Sequence, residues 1–200
     1  MSYLRRKRSG NSSEGKLKSF GYKVALALGR DGILNYPGSG RGQEIWRPLQ
    51  GVPQLIARLC RIGVSIYVVS LRKDRPKNSY EIDLMDEING IMSNTIRNAG
   101  GRITAIYSCN HLLGDDCHCH RGSGGVLERV AQAEGVALKD VIFAGSSLEE
   151  INLASSLGLE CYFVLNRLSG ILSTNQLPLK RTSVVASPSL VFEEILARSP

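Results

Sequence analysis

The sequence predicts an α/β protein in which a parallel sheet carries helices on both faces, in three Rossmann-like layers. Three observations predict it. Short β-branched runs alternate with longer stretches whose apolar residues recur every three or four positions, the order that βαβ units produce. The strand-like runs are apolar on consecutive positions, as befits strands covered on both faces. A chain of 200 residues with 42% hydrophobic content suffices for one domain with a sizeable core.

Taken in order, the strands are expected at 24–28, 64–70, 103–107, 141–144, 161–165 and, shorter, 183–186. The clearest helix covers 82–98, where Ile82, Met85, Ile88, Ile91, Met92 and Ile96 share one face and Gly100-Gly101 ends the run. Further helices are expected at 52–61, 125–134, 148–157 and 190–197. Cys60 falls in an apolar helical run and Cys161 in an apolar strand run, so both read as small buried hydrophobes. Neither an internal repeat nor a second folded domain is visible, and no segment approaches the length of a membrane span.

Charge is unevenly placed. Arg5, Arg6, Lys7, Arg8, Lys16, Lys18 and Lys23 face only Glu14 in the first 23 residues, so most of the formal net charge of +7 sits there. Such a segment buries too little apolar surface to offset the entropy of ordering. Residues 1–20 are therefore expected to be a flexible basic tail, preceding a domain over 21–200. The tail reads either as a polyanion-binding arm using Arg5, Arg6, Lys7, Arg8, Lys16 and Lys18, or as a solubilising terminus. Charge without a following apolar run argues against a secretory signal, and a cytoplasmic protein is expected.

Cys109, His111, Cys117 and Cys119 place three thiols and an imidazole within eleven residues. Thiolate and imidazole suit tetrahedral Zn²⁺, and two ligand pairs across a short loop leave no open position, so a structural zinc site is expected. The plainer alternative is a set of scattered reduced thiols. His118 and His120 read as loop residues.

In a doubly wound sheet ligands bind beyond the carboxyl ends of the strands. The residues there are Gly29-Arg30-Asp31-Gly32, Ser70-Leu71-Arg72, the Cys/His loop with Arg121, and Gly145-Ser146-Ser147. With Leu28-Gly-Arg-Asp-Gly-Ile-Leu-Asn35, Tyr67-Val-Val-Ser70, Gly100-Gly-Arg-Ile-Thr-Ala-Ile-Tyr107, Phe143-Ala-Gly-Ser146 and Leu148-Glu-Glu150 in this order, residues 22–197 resemble the haloacid dehalogenase (HAD) superfamily of phosphatases. Within it they are similar to the zinc-bearing branch typified by D-glycero-D-manno-heptose 1,7-bisphosphate phosphatase and histidinol-phosphatases. The resemblance implies no large cap domain and a zinc loop after the third strand.

The resemblance also implies a nucleophilic aspartate, a general acid two residues on, a hydroxyl and a Lys that neutralise the phosphoryl group, and Mg²⁺ held partly by an aspartate after the fourth strand. Carried over, the nucleophile position is Gly29, the general acid Asp31, the hydroxyl Ser70, the Lys position Arg121 and the metal-binding position Ser146, with Glu150 as a second acid. With two carboxylates replaced, the expected protein is a catalytically inactive, zinc-stabilised binding scaffold that does not require magnesium. It would be an accessory subunit of a larger assembly or a phospho-ligand module using Arg30, Asp31, Ser70, Arg121, Ser146 and Ser147. Two alternatives stand beside it: an active Mg²⁺-dependent sugar phosphatase in which Asp31 acts unconventionally, and a nucleic-acid- or ribosome-associated module that uses the tail. Trp46 is assigned either to the core or to a protein contact.

Overall fold

The computed structural model describes residues 24–36, 46–71, 78–108, 111, 124–165 and 181–198. The described strands are β1 (Ala25–Leu28), β2 (Ser65–Val69), β3 (Ala105–Tyr107), β4 (Val141–Gly145), β5 (Glu160–Val164) and β6 (Thr182–Val185). The helices are α1 (Val52–Arg61), α2 (Ser79–Asn98), α3 (Gly125–Glu134), α4 (Leu148–Ser156) and α5 (Pro188–Ala197), with a short 3-10 turn at Leu138–Asp140. The strands pair in the order β3-β2-β1-β4-β5-β6, all parallel. The expected fold class is thus observed.

Successive side chains on a strand point to opposite faces, so each central strand feeds two cores. Leu26, Leu28, Ile66, Val68 and Ile142 pack against Ile56 and Leu59 of α1, Met92 and Ile96 of α2, and Phe192 and Ile195 of α5. Ala25, Ala27, Tyr67, Val69, Phe143, Cys161 and Phe163 pack on the other face against Leu127 and Val130 of α3 and Ile151 and Ala154 of α4. Burial pushes the Cys161 thiol up to about 12, so it stays protonated and behaves as a small hydrophobe. Cys60 is only half-buried, and its sulfur exchanges hydrogen bonds with the backbone of Arg102 at 3.3 Å. Trp46 belongs to the first core at 3% exposure, which settles its assignment there.

The largest departure in element bounds is the start of α2, three residues earlier than its apolar stripe suggests. Asn78 caps it, its side-chain oxygen accepting the Glu81 N–H at 3.0 Å. No described helix is long and apolar enough to cross a membrane.

Candidate active site

The winding reverses between β1 and β4, which are paired neighbours in the sheet although β2 and β3 intervene in sequence. The crevice beyond their carboxyl ends is where such a fold binds ligands. Gly29 continues the pairing one residue past β1, donating its N–H to the Ala144 carbonyl at 2.8 Å. The chain then turns sharply: Leu34 N–H donates to the Arg30 carbonyl at 2.9 Å, and Gly32 N–H to the Asn35 carbonyl at 2.9 Å. Gly32 sits at φ 79°, a left-handed conformation that favours glycine. This turn presents Asp31 at the end of the sheet's central strand pair.

Two donors hold the Asp31 carboxylate. Arg30 Nε approaches Oδ1 at 3.2 Å as a half-buried ion pair, and Asn35 Nδ2 approaches the same oxygen at 3.2 Å. Asn35 is fully buried and also donates to the Tyr36 carbonyl at 2.9 Å. Its amide is thereby fixed, and so is the acid it supports.

Across the crevice, Ser146 follows β4 and donates its hydroxyl to the Asp31 carbonyl at 2.7 Å, linking the loops after β1 and β4. Glu150 lies in the first turn of α4, where the helix dipole favours a carboxylate. Its Oε2 lies 3.5 Å from the point a Cβ on Gly29 would occupy and 3.4 Å from the equivalent point on Gly145. The Glu150 carboxylate therefore rests between the two glycines that end β1 and β4.

These residues border a cavity of about 380 Å³. Arg30, Asp31, Ser70, Ser146, Ser147 and Glu150 share it, so six of the residues singled out from sequence meet there. Arg121 and the basic residues of the tail lie outside the described residues. So do Cys109, Cys117 and Cys119; His111 is described and exposed. Among the described residues no group of three or more His, Cys, Asp or Glu is placed to hold a metal ion. The described residues lend the zinc expectation no support, three of its four ligands lying outside them.

Sequence reasoning missed Asn35 as the support of Asp31, Glu149 on the rim, and the α2 wall formed by Met85 and Asn89. Met85 was counted with the core stripe of α2, but it is half-buried and lines the cavity. Its i,i+4 spacing from Asn89, which puts a polar group on the same face one turn on, was the available sign.

No family model matches the chain. It is 24% identical over 174 residues to D-glycero-beta-D-manno-heptose-1,7-bisphosphate 7-phosphatase of Pseudomonas aeruginosa, covering 86% of this chain and 93% of that one. The enzyme of the same name from Pseudomonas putida is 25% identical over 137 residues, covering 68% of this chain and 78% of that one. The crystal structure of the D,D-heptose 1,7-bisphosphate phosphatase from B. bronchiseptica, complexed with magnesium and phosphate, superposes with a TM-score of 0.71 at 24% identity, covering 88% of this chain and 99% of that one. The chain has the HAD phosphatase fold.

Two expectations for this HAD-type chain are corrected by these findings. The inactive binding scaffold gives way because the relatives it matches, one of them over 86% of this chain and 93% of its own length, are named as phosphatases. The expectation that magnesium plays no part gives way because the solved neighbour is complexed with magnesium and phosphate. The physical reason lies in the crevice: the loss of carboxylates at Gly29 and Ser146 is offset by Glu150, expected from sequence only as a second acid, whose carboxylate reaches in from α4 beside Gly29 and Gly145.

Proposed function

We propose that the chain is a Mg²⁺-dependent phosphatase acting on a phosphorylated sugar of the heptose bisphosphate kind. The observation that carries this reading is the meeting of Asp31, Glu150, Ser70, Ser146 and Arg30 around one cavity at the winding reversal of the sheet. The length and names of the matched relatives support it.

The donors fit magnesium. The Glu149 carboxylate, the Asp31 carbonyl and the Ser146 hydroxyl are all hard oxygen ligands at the cavity, and Mg²⁺ commonly uses one or two carboxylates and completes its shell with water and phosphate. These groups would hold the ion, which when bound neutralises charge on the phosphoryl oxygens. The other roles fall to the chain itself. Ser70 offers its hydroxyl to the phosphoryl group, and the Arg30 guanidinium adds a fixed positive charge at the rim. Asp31, held by Arg30 and Asn35, hands a proton to the departing sugar oxygen.

The test is release of phosphate from D-glycero-β-D-manno-heptose 1,7-bisphosphate in the presence of Mg²⁺. Release should be proportional to protein and fall by about 10²–10⁴ in Asp31→Asn, the usual range for loss of a general acid. Release no greater than the blank from the unmodified protein overturns the reading.

A further inference from the structure

We propose that Glu150 is the group that activates the attacking water in this chain, so that hydrolysis proceeds in one displacement with no phosphoenzyme. The inference rests on the phosphatase reading above. Its starting point is spatial. Gly29 provides no side chain at the end of β1, yet the space its side chain would enter is not lined by neutral groups alone: Glu150 Oε2 lies 3.5 Å from the Cβ position. The same oxygen is 3.4 Å from the Cβ position of Gly145, so the carboxylate rests where both strand ends lack side chains. Glu150 and Asp31 border the same cavity, and the Ser146 hydroxyl bond to the Asp31 carbonyl fixes the two loops relative to each other.

A carboxylate that enters from a helix beside the strand suits a base better than a nucleophile. An Asp at residue 29 would follow the strand directly, whereas Glu150 reaches in from α4 with its Oε2 beside the Cβ positions of Gly29 and Gly145. In the proposed step the water oxygen bonds to phosphorus as the bond from phosphorus to the sugar oxygen breaks. The water proton passes to Glu150, and the sugar oxygen takes a proton from Asp31. The products are the sugar alcohol and inorganic phosphate, and solvent returns the proton from Glu150 to Asp31. No oxidant, reductant or further co-reactant is needed.

Glu150→Gln keeps the size and removes the base. It should lower kcat by about 10²–10⁴ with KM changed by less than about fivefold, because the lost interaction belongs to the transition state. Glu150→Asp, which keeps the charge on a shorter arm, should also lose most activity. Glu193→Gln on the exposed face of α5 serves as the control and should match the unmodified protein. With a substrate chiral at phosphorus the product should be inverted, and acid quench of radiolabelled turnover should trap no phosphoenzyme. Retention of configuration, a labelled protein, or Glu150→Gln turning over within about threefold of the unmodified protein each overturns the proposal while leaving the phosphatase reading standing.

Calorimetry with inorganic phosphate in metal-free buffer reads the placement without turnover. Removing a like charge beside the anion should tighten phosphate binding several-fold in Glu150→Gln. Identical binding by the two proteins overturns the placement. Absence of turnover in the unmodified protein overturns the phosphatase reading and the base role with it.

Discussion

Gly29 and Glu150 are best understood as a pair. A glycine after β1 leaves open the volume beside which the Glu150 carboxylate lies, and an acid at residue 29 would bring a second negative charge into contact with the first. Two carboxylates sharing such a site cannot both ionise freely. Gly29→Asp is therefore expected to lower phosphate release instead of raising it, and Gly29→Asp with Glu150→Gln should recover more than either single variant. Steady-state kinetics on the three proteins check this through the non-additivity of the pair. A gain from Gly29→Asp alone would show that the two carboxylates coexist. At this scale Asp31, Ser70 and Ser146 were legible in the sequence because each lies within a few residues of a strand's carboxyl end, and strand ends are readable from β-branched runs. The role of Asn35 and the reach of Glu150 were not. Both depend on side-chain direction across the crevice, which spacing along the chain does not encode.

Elements were legible wherever burial is two-sided or amphipathic. The bounds 52–61 for α1 and 125–134 for α3 coincide with the structure, because Val52-Pro53 opens α1 and the left-handed Gly135 ends α3. The start of α2 was misplaced because its first turn, Ser79 to Glu81, carries no apolar stripe; the defining feature is the Asn78 cap with Glu81 three residues on. That cap also has a functional bearing, since α2 supplies Met85 and Asn89 to the cavity wall. Asn78→Ala should cost about 0.5–2 kcal/mol in urea unfolding and raise KM more than it lowers kcat, because it frays a wall and spares the acid and base. Unchanged stability would mean that the cap is replaced by solvent. A second network ties α5 to the sheet: Tyr162 donates to Glu194 Oε1 at 2.9 Å and accepts from Arg198 Nη2 at 2.6 Å. Burial is the largest cause raising the Tyr162 phenol above its usual range, so the hydroxyl remains a donor throughout the working pH range.

For the whole molecule, the layered architecture followed from the alternation of strand and helix patterns, while the strand order came from tertiary pairing alone. The order places β1 and β4 inside the sheet, each paired on both sides, and β3 and β6 at its edges. β3 has three half-buried residues and β6 exposes Ser183 and Val184, whereas Leu26, Ala27, Leu28, Phe143 and Ala144 are fully buried. Opening of an edge strand breaks one ladder; opening of β1 breaks two and both cores. Amide hydrogens should therefore exchange with deuterium in a graded order, fastest in β3 and β6 and slowest in 26–28 and 142–144, where exchange should track global unfolding. Asp31 and Ser146 lie just past the two slowest strands, while Met85 and Asn89 hang from a helix that packs on one face only. The molecule thus joins a part that cannot breathe without unfolding to a part that can. On the proposed function, substrate entry falls to the second, while Asp31 and Ser146 keep their registration.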